Sequence, residues 1–504
     1  MTKAPALALA GMMTTVAAFS GALSAPLGQQ ESRQAAQQLQ QAGNFQEALE
    51  IYRRLVVDRD ADVEDVVASL RHAVECLHSL GRVDEFNALV EETIEEQAAR
   101  WQVLAAAAEH YLHINHQGQI VAGQFNRGDR RGGGRWVHAT QRDRVRALQL
   151  MFQAMPLADE NAEPAEAGRF YFTLAHAVLH ARSHSEAWQL SELTDLETLP
   201  DYEEGWYRGG RNQGAPVDDE GHPLLHELPE SFEAAATDGQ RWRFALHRAA
   251  ETDPNRAAEA EYRFAQFLYT QFGVHTMGQY GIFWRGAEMD AGQVDAAVED
   301  DEERDTSGTY ALHTLQDNET IARLAIGIRR FDLPDEFNFI RIFEKLAADR
   351  RGSYAVASLE QLAAIYENRR QYPRAADHWR RAIEEHGRQK YRQQRLDQIV
   401  GNWGRFEPHD PQPAGQGATV EFRFRNGEEV QFTASEIRLD ELIDDVKDYL
   451  RGNPQQLEWQ KLELNQLGHR LLQQNQQKYI GRRAARWSLE LDPRPEHYAD
   501  RAPV

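Results

Sequence analysis

Tyr354-Ala-Val-Ala-Ser-Leu-Glu-Gln-Leu-Ala-Ala-Ile-Tyr366, the link Glu-Asn-Arg-Arg-Gln, and Tyr372-Pro-Arg-Ala-Ala-Asp-His-Trp-Arg-Arg-Ala-Ile383 form the stretch that decides the fold. Leu359, Leu362, Ala363 and Tyr366 recur at helical spacing on one face of the first segment. Tyr372, Ala375, Trp379 and Ala382 do the same on the second. The polar link is short, so two amphipathic helices are joined by a tight turn. Small Ala363 and Ala375 let the helices approach closely, while Tyr366, Tyr372 and Trp379 fill the space between this pair and its neighbours. Such a hairpin cannot bury its apolar face alone, so it predicts others stacked beside it.

A second copy lies at 35–56, where Gly43 makes the turn and Phe45, Ala48, Tyr52 and Leu55 take the corresponding places. A degenerate third lies at 71–90, with Leu77 before the turn, Gly81 in it, and Val83 and Phe86 after it. Gly81 follows Gly43 by 38 residues, close to the repeat period. These positions carry the tetratricopeptide (TPR) signature and predict a mainly α fold, a tetratricopeptide-like α-solenoid with long insertions. Less regular helical pairs are expected at 98–115, 141–155, 167–193, 257–272, 317–330 and 333–348.

The expected order is N-terminal helices over 26–116, a Gly-rich loop at 117–135, an irregular helical region at 136–288, an acidic linker at 289–310 and further helices over 311–397. The loop contains Arg127-Gly-Asp129 and Gly132-Gly-Gly134. A tripeptide is too short to carry an adhesion reading, and the basic run through Arg135 reads as a solvated connector. An insertion at 199–229 holds Tyr202, Trp206 and Tyr207, aromatics expected to pin it to the helices. The clear repeat unit occupies 354–386.

Beyond it, 398–485 reads as a small α+β module. Val420, Phe422 and Phe424 alternate with Glu421 and Arg423, Val430 and Phe432 answer them, and Asn426-Gly427 suits a type I′ turn, so 418–433 is expected to be a β-hairpin. Two helices follow, one with Leu439, Leu442, Ile443, Val446 and Leu450 on its stripe and the next with Leu457, Leu464, Leu467 and Leu471. Residues 486–504 open on the alternating Arg486-Trp-Ser-Leu-Glu-Leu491 with no partner strand in view, an unfinished β-strand and the start of a β domain.

Composition narrows the partners. The 504 residues carry 56 Lys plus Arg against 79 Asp plus Glu, a net charge of −23, which disfavours nucleic acid and anionic membranes. Lys3 precedes an uncharged, largely apolar run from Ala4 to Phe19 and the small residues Ser20, Gly21, Ala22, Ser24 and Ala25, the pattern of a secretory signal peptide over 1–25. With no later segment fit to span a bilayer, the mature chain is expected in the periplasm or outside the cell, with no membrane span. The one cysteine, Cys76, lies within a helical pattern and reads as a small core residue.

Gly132-Gly-Gly-Arg-Trp136 with Arg142-Asp-Arg-Val-Arg-Ala-Leu-Gln-Leu-Met151, Leu199-Pro-Asp-Tyr202, Leu333-Pro-Asp-Glu-Phe-Asn-Phe-Ile340 and Gln398-Ile-Val-Gly-Asn-Trp-Gly-Arg-Phe406 add a further signal. Across nearly its whole length the chain resembles the N-terminal region of secreted bacterial alpha-2-macroglobulin family proteins of the planctomycete type. In that family tetratricopeptide-like helices precede macroglobulin β-domains. The family traps proteases, in many members through a thioester with a Cys-x-Glu-Gln motif. Cys76-Leu-His-Ser79 does not match that motif. The resemblance therefore implies an interaction and positioning region rather than the trap itself.

Candidate metal ligands fall at His110, His113 and His116 with Glu109, and at His176 and His180 with Glu186. Neither set shows three placed ligands and an oriented base, so no metal is assigned. Asp201 with Glu203 and Asp218 with Asp219 are not fixed across a pocket, and Asp218-Asp-Glu-Gly221 lacks the ligand alternation of a calcium loop. No Walker loop, dinucleotide fingerprint or nucleophile elbow occurs. The reading is a secreted, non-catalytic scaffold that binds protein, with no cofactor. The packing residues Gly43, Phe45, Ala48, Tyr52, Leu362, Ala363, Tyr366, Tyr372, Ala375, Trp379 and Ala382 form its repeat signature. The alternatives are a stand-alone envelope adaptor and a metal-dependent envelope hydrolase using the His110 region.

Overall fold

The computed structural model describes residues 29–128, 133–182, 184–204, 214–274, 311–408, 412, 417–452, 456 and 477–504. The signal peptide at 1–25, the acidic linker at 289–310, Trp206, Tyr207 and the stripe from Leu457 to Leu471 lie outside them. The protein is mainly helical with small antiparallel sheets. Its chain divides into two compact units, residues 1–257 and 258–504. Among the described residues no helix is long and apolar enough to cross a membrane.

The first unit opens with α1 (Gln29–Gln41) and α2 (Phe45–Val56). Gly43 sits between them at φ +84°, a left-handed conformation that suits a residue without Cβ. Ala48, Leu49, Tyr52, Leu55 and Val56 make one buried stripe on α2, as period 3.6 requires. The Asp62 side chain caps α3 (Val63–Ser79) by accepting from Glu64 N–H at 2.9 Å. Next come α4 (Phe86–Glu96) and α5 (Trp101–His113). Gln97 donates to the carbonyls of Val56 and Asp58 at 3.1 and 2.9 Å, and Arg100 to that of Ala61 at 2.7 Å, so the α4–α5 turn is bonded to the α2–α3 turn.

The expected Gly-rich loop is instead largely sheet: β1 (Gln117–Val121), β2 (Gln124–Arg127) and β3 (Arg135–His138) join β4 (Glu203–Glu204) in the order β2-β1-β3-β4. Gly123, at φ +81°, turns β1 into β2. Then α6 (Thr140–Asn161) runs past Pro156, further than expected, because Ala158 is buried and Asp159 accepts the Tyr171 hydroxyl at 2.7 Å. It is followed by α7 (Pro164–Leu179) and α8 (Asp238–Thr252), a helix the sequence reading missed.

The second unit begins with α9 (Ala257–Phe272). The helix expected over 317–330 does not exist. Glu319–Leu324 (β5) and Gly327–Asp332 (β6) form an antiparallel hairpin there, with Gly327 at φ +116°. Thr320, Ile321 and Ile328 are β-branched and prefer the extended state. Asn338 then caps α10 (Phe339–Ala348), leading to α11 (Ala355–Asn368), α12 (Tyr372–His386) and α13 (Lys390–Val400).

Two further expectations fail in the β module. The segments β8 (Glu421–Arg425) and β9 (Glu429–Ile437) do not pair as a hairpin. Both edges of β8 are taken, by β7 (Trp403–Phe406) and β11 (Asp500–Pro503), while β9 pairs with β10 (Ile480–Glu490). A type I′ turn needs positive φ at both central residues, and here Asn426 has it, at +59°, but Gly427 does not. The Asn426 amide donates to the carbonyls of Ile399 and Gly401 at 2.8 and 2.9 Å, so the turn is tethered to the end of α13 and sends β9 into a second sheet. Residues 486–504, expected without a partner strand, do have partners: β10 pairs with β9 and β11 with β8, and Phe422, Phe424 and Phe432 cluster between them. Helix α14 (Leu439–Arg451) buries only Leu442 of its expected stripe, with Leu439 and Leu450 exposed.

Candidate functional site

Most of the repeat residues are buried on the helices that carry them. Ala48 and Tyr52 are buried on α2, with Phe45 partly exposed at its start. Leu362, Ala363 and Tyr366 on α11 and Tyr372, Ala375, Trp379 and Ala382 on α12 are all buried. The Tyr366 ring stacks on His378 at 5.3 Å, with the Arg374 guanidinium 4.0 Å from its centre. Its hydroxyl donates to Asp317 at 3.1 Å and accepts from Arg374 at 2.6 Å. Buried Arg369 donates to the carbonyls of Gln316 and Glu319 at 3.0 and 2.9 Å, so the α11–α12 turn also anchors the start of the β5–β6 hairpin.

In the first unit the anchoring falls to one turn of α6, where four charged residues reach four places. Arg142 donates to the Pro200 carbonyl at 2.8 Å and lies 4.9 Å from the Tyr202 ring, which stacks on Phe125 at 4.5 Å. That fixes the start of the 199–229 insertion through Tyr202; the other two aromatics expected to pin it, Trp206 and Tyr207, lie outside the described residues. Asp143 takes a bidentate pair from Arg127 at 2.7 and 3.0 Å and faces His116 Nδ1 at 2.8 Å. Arg127 is 3% exposed, so the arginine of the Arg-Gly-Asp tripeptide is committed to the interior and the solvated-connector reading fails for it. Arg146 holds Glu91 at 2.8 and 2.5 Å.

Arg144, fully buried, meets Asp238 at 2.9 Å. The same carboxylate faces Arg182 at 2.8 Å and Arg241 at 3.3 Å and accepts from the Thr194 amide at 3.0 Å and from its hydroxyl. Burial opposes ionisation of Asp238, but Arg144, Thr194 and Arg182 outweigh it and hold the carboxyl below its ordinary value. Burial first, then Arg182, lowers Arg144 to about 10. Asp238 opens α8 behind the cap Thr237, a Thr-Asp start that the sequence reading did not use; nothing there marks its three arginines.

The histidines fall into a different grouping from the one their spacing suggested. His110 is partly buried and lowered to about 4 by burial and then by His113 and Arg71. Its fellow candidates His113 and His116 instead join His176 and His180 at the C-terminal ends of α5 and α7. Ring centres stand 5.8 Å apart for His113–His176, 6.2 Å for His113–His180, 6.2 Å for His176–His180 and 6.0 Å for His116–His180. His113 and His176 are exposed. His113 Nδ1 faces the Glu109 carbonyl at 2.8 Å. Burial, then His116, His176 and His113, lowers His180 to about 4. The Glu186 side chain lies outside the described residues.

Asp218, Glu220 and His222 bring one ligand atom each within 4.8 Å of one another. Asp218 Oδ1, however, already accepts the amides of Glu220 and His222 at 3.0 and 2.7 Å, the work of a turn-forming aspartate. Cys76 is buried, and its thiol is pushed up to about 11 by burial and Glu75, which makes it an inert core residue.

His226 adds a pH dependence. It is 8% exposed, burial lowers it to about 4, and its ring lies where a Cβ on Gly239 would be 2.2 Å from Nδ1. The unfolded value is about 6.5, so this neutral ring contributes its full stability above that pH and loses it as pH falls toward 4. From pH 7 to 4.5 the wild type is expected to lose about 2–3 kcal/mol more than His226→Phe in urea unfolding. Equal losses would contradict a buried neutral ring. No protein-family model matches this chain, and no curated protein matches it.

Proposed function

We propose that this chain is a secreted, non-catalytic scaffold of tetratricopeptide-like helical hairpins, the N-terminal region of an alpha-2-macroglobulin-like protein, whose helical faces hold a protein segment or a neighbouring domain of the same assembly. The observation that carries the reading is the burial of Leu362, Ala363, Tyr366, Ala375, Trp379 and Ala382 in the α11–α12 hairpin, matched by Ala48 and Tyr52 on α2. An array of such hairpins spends its apolar residues on packing between units and leaves long polar faces for partners.

The segments that carry the family resemblance support it in a second way. Arg142, Asp143 and Arg144 each fix a different part of the first unit, and Gln398 and Ile399 accept from Arg425 at 3.0 Å and Asn426 at 2.8 Å in the second. These contacts hold the framework of each unit. The net charge of −23 fits a protein partner better than a phosphate backbone.

Chemical cross-linking in the cells that make the protein, followed by mass spectrometry, tests the proposal. Cross-links from the helical segments to one protein neighbour, or to further residues of the same polypeptide, are expected in the envelope or secreted fraction. Cross-links confined to the chain itself, with the protein in the cytoplasm, would overturn it.

A further inference from the structure

We propose that His113, His176 and His180 form a binding site for one divalent transition-metal ion, of the zinc, cobalt or nickel class, that pins the C-terminal ends of α5 and α7 together. The inference does not depend on the scaffold reading. Its basis is geometric. The three ring centres make a nearly equilateral triangle with sides of 5.8, 6.2 and 6.2 Å, although His113 lies 63 positions before His176 in sequence. Three imidazoles on a tetrahedral ion, with metal–nitrogen bonds of about 2.0–2.1 Å, place their ring centres about 5 Å apart. As the side chains stand, His113 and His176 are nearly parallel, at 6°, and the three rings do not bring one nitrogen each within 4.8 Å of one another. Binding therefore takes rotation of the exposed His113 and His176 about their side-chain torsions together with a contraction of about 1 Å.

Three further features favour a cation here. His113 Nδ1 faces the Glu109 carbonyl at 2.8 Å, which selects the tautomer with Nδ1–H as donor and leaves the Nε2 lone pair for an ion. The cluster sits where two helices end, so the carbonyl ends of both dipoles face it with negative potential. Beside His180, at 6.0 Å between ring centres, His116 is oriented by the buried Asp143 carboxylate at 2.8 Å, which Arg127 already neutralises, so a fourth imidazole is held in place at the edge of the site. Imidazoles without a carboxylate among the three donors select zinc, cobalt or nickel over magnesium or calcium. The fourth position of a tetrahedral ion would face solvent on the side of His113 and His176.

The packing alternative is that the rings stack without an ion, and titration of the full chain separates the two. The protein is made without a histidine tag, freed of metal with a chelator, and titrated with zinc by calorimetry and with cobalt by visible absorption. One ion per chain is expected, with the intense visible bands of tetrahedral cobalt and a rise in unfolding temperature on adding zinc. His113→Ala and the double variant His176→Gln with His180→Gln should each bind about tenfold or more weakly, while metal-free circular dichroism stays that of the wild type. His222→Ala, at the acidic turn, should bind as the wild type does. No ion bound at one equivalent, wild-type binding in the double variant, or loss of binding in His222→Ala would each overturn the site.

Discussion

Asp238→Ala is expected to destabilise the first unit by about 3–5 kcal/mol, the largest effect of any single substitution considered in it. One carboxylate faces Arg144, Arg182 and Arg241, and its own side chain is wholly buried. Removing it leaves three guanidinium groups close together in a region that water does not reach, with mutual repulsion added to the desolvation each has already suffered. Asp238→Asn keeps the shape and the hydrogen bond from the Thr194 amide but not the charge, and should cost less than the alanine. Amide hydrogen exchange in α8 and in 190–196, which Asp238 ties together, reports the loss. Wild-type protection in both segments of the alanine variant would mean that the arginines are satisfied without it.

Tyr366→Ala is expected to cost the second unit about 3–5 kcal/mol, as for other large buried rings. The ring is fully buried and lies against His378 and Arg374, so its removal opens a cavity in the middle of the α11–α12 hairpin. Arg374 keeps its pair with Asp317, at 2.5 and 2.9 Å, but loses the ring beneath it. Tyr366→Phe keeps the packing and deletes the hydroxyl bonded to Asp317, a change of about 1 kcal/mol. Urea unfolding followed by exchange in 355–386 distinguishes the two. Equal costs for alanine and phenylalanine would show that the hydroxyl network, and not ring packing, holds the hairpin.

Periodicity made the helices legible because the apolar stripes of α2, α11 and α12 repeat at 3.6 residues and their turns carry Gly43 or a short polar link. The same signal misled at 317–330, where Ile321, Leu324 and Ile328 at helical spacing occupy a hairpin turned at Gly327. It failed again at Asn426-Gly427, because strand pairing depends on which other strands reach β8, and β7 and β11 lie 15 or more residues away in sequence. Long-range pairings of this kind leave no local trace. The histidines show the same limit. His113 and His116 were visible as a local group, and so were His176 and His180, but only the packing of α5 on α7 makes them one cluster and turns His110 out of it. Arg127 looked like part of a surface tripeptide because nothing near it in sequence announces Asp143 as its partner.

The measurement that bears most directly on the scaffold reading is the particle mass of the untagged protein drawn gently from its own cells, with the proteins in the particle identified. A particle well above 57.5 kDa, containing this chain in fixed ratio to another protein or within a longer polypeptide, is the predicted result. A lone particle of about the chain's own mass, unchanged across growth conditions and protein concentrations, would contradict the claim that its helical hairpins exist to hold another protein surface.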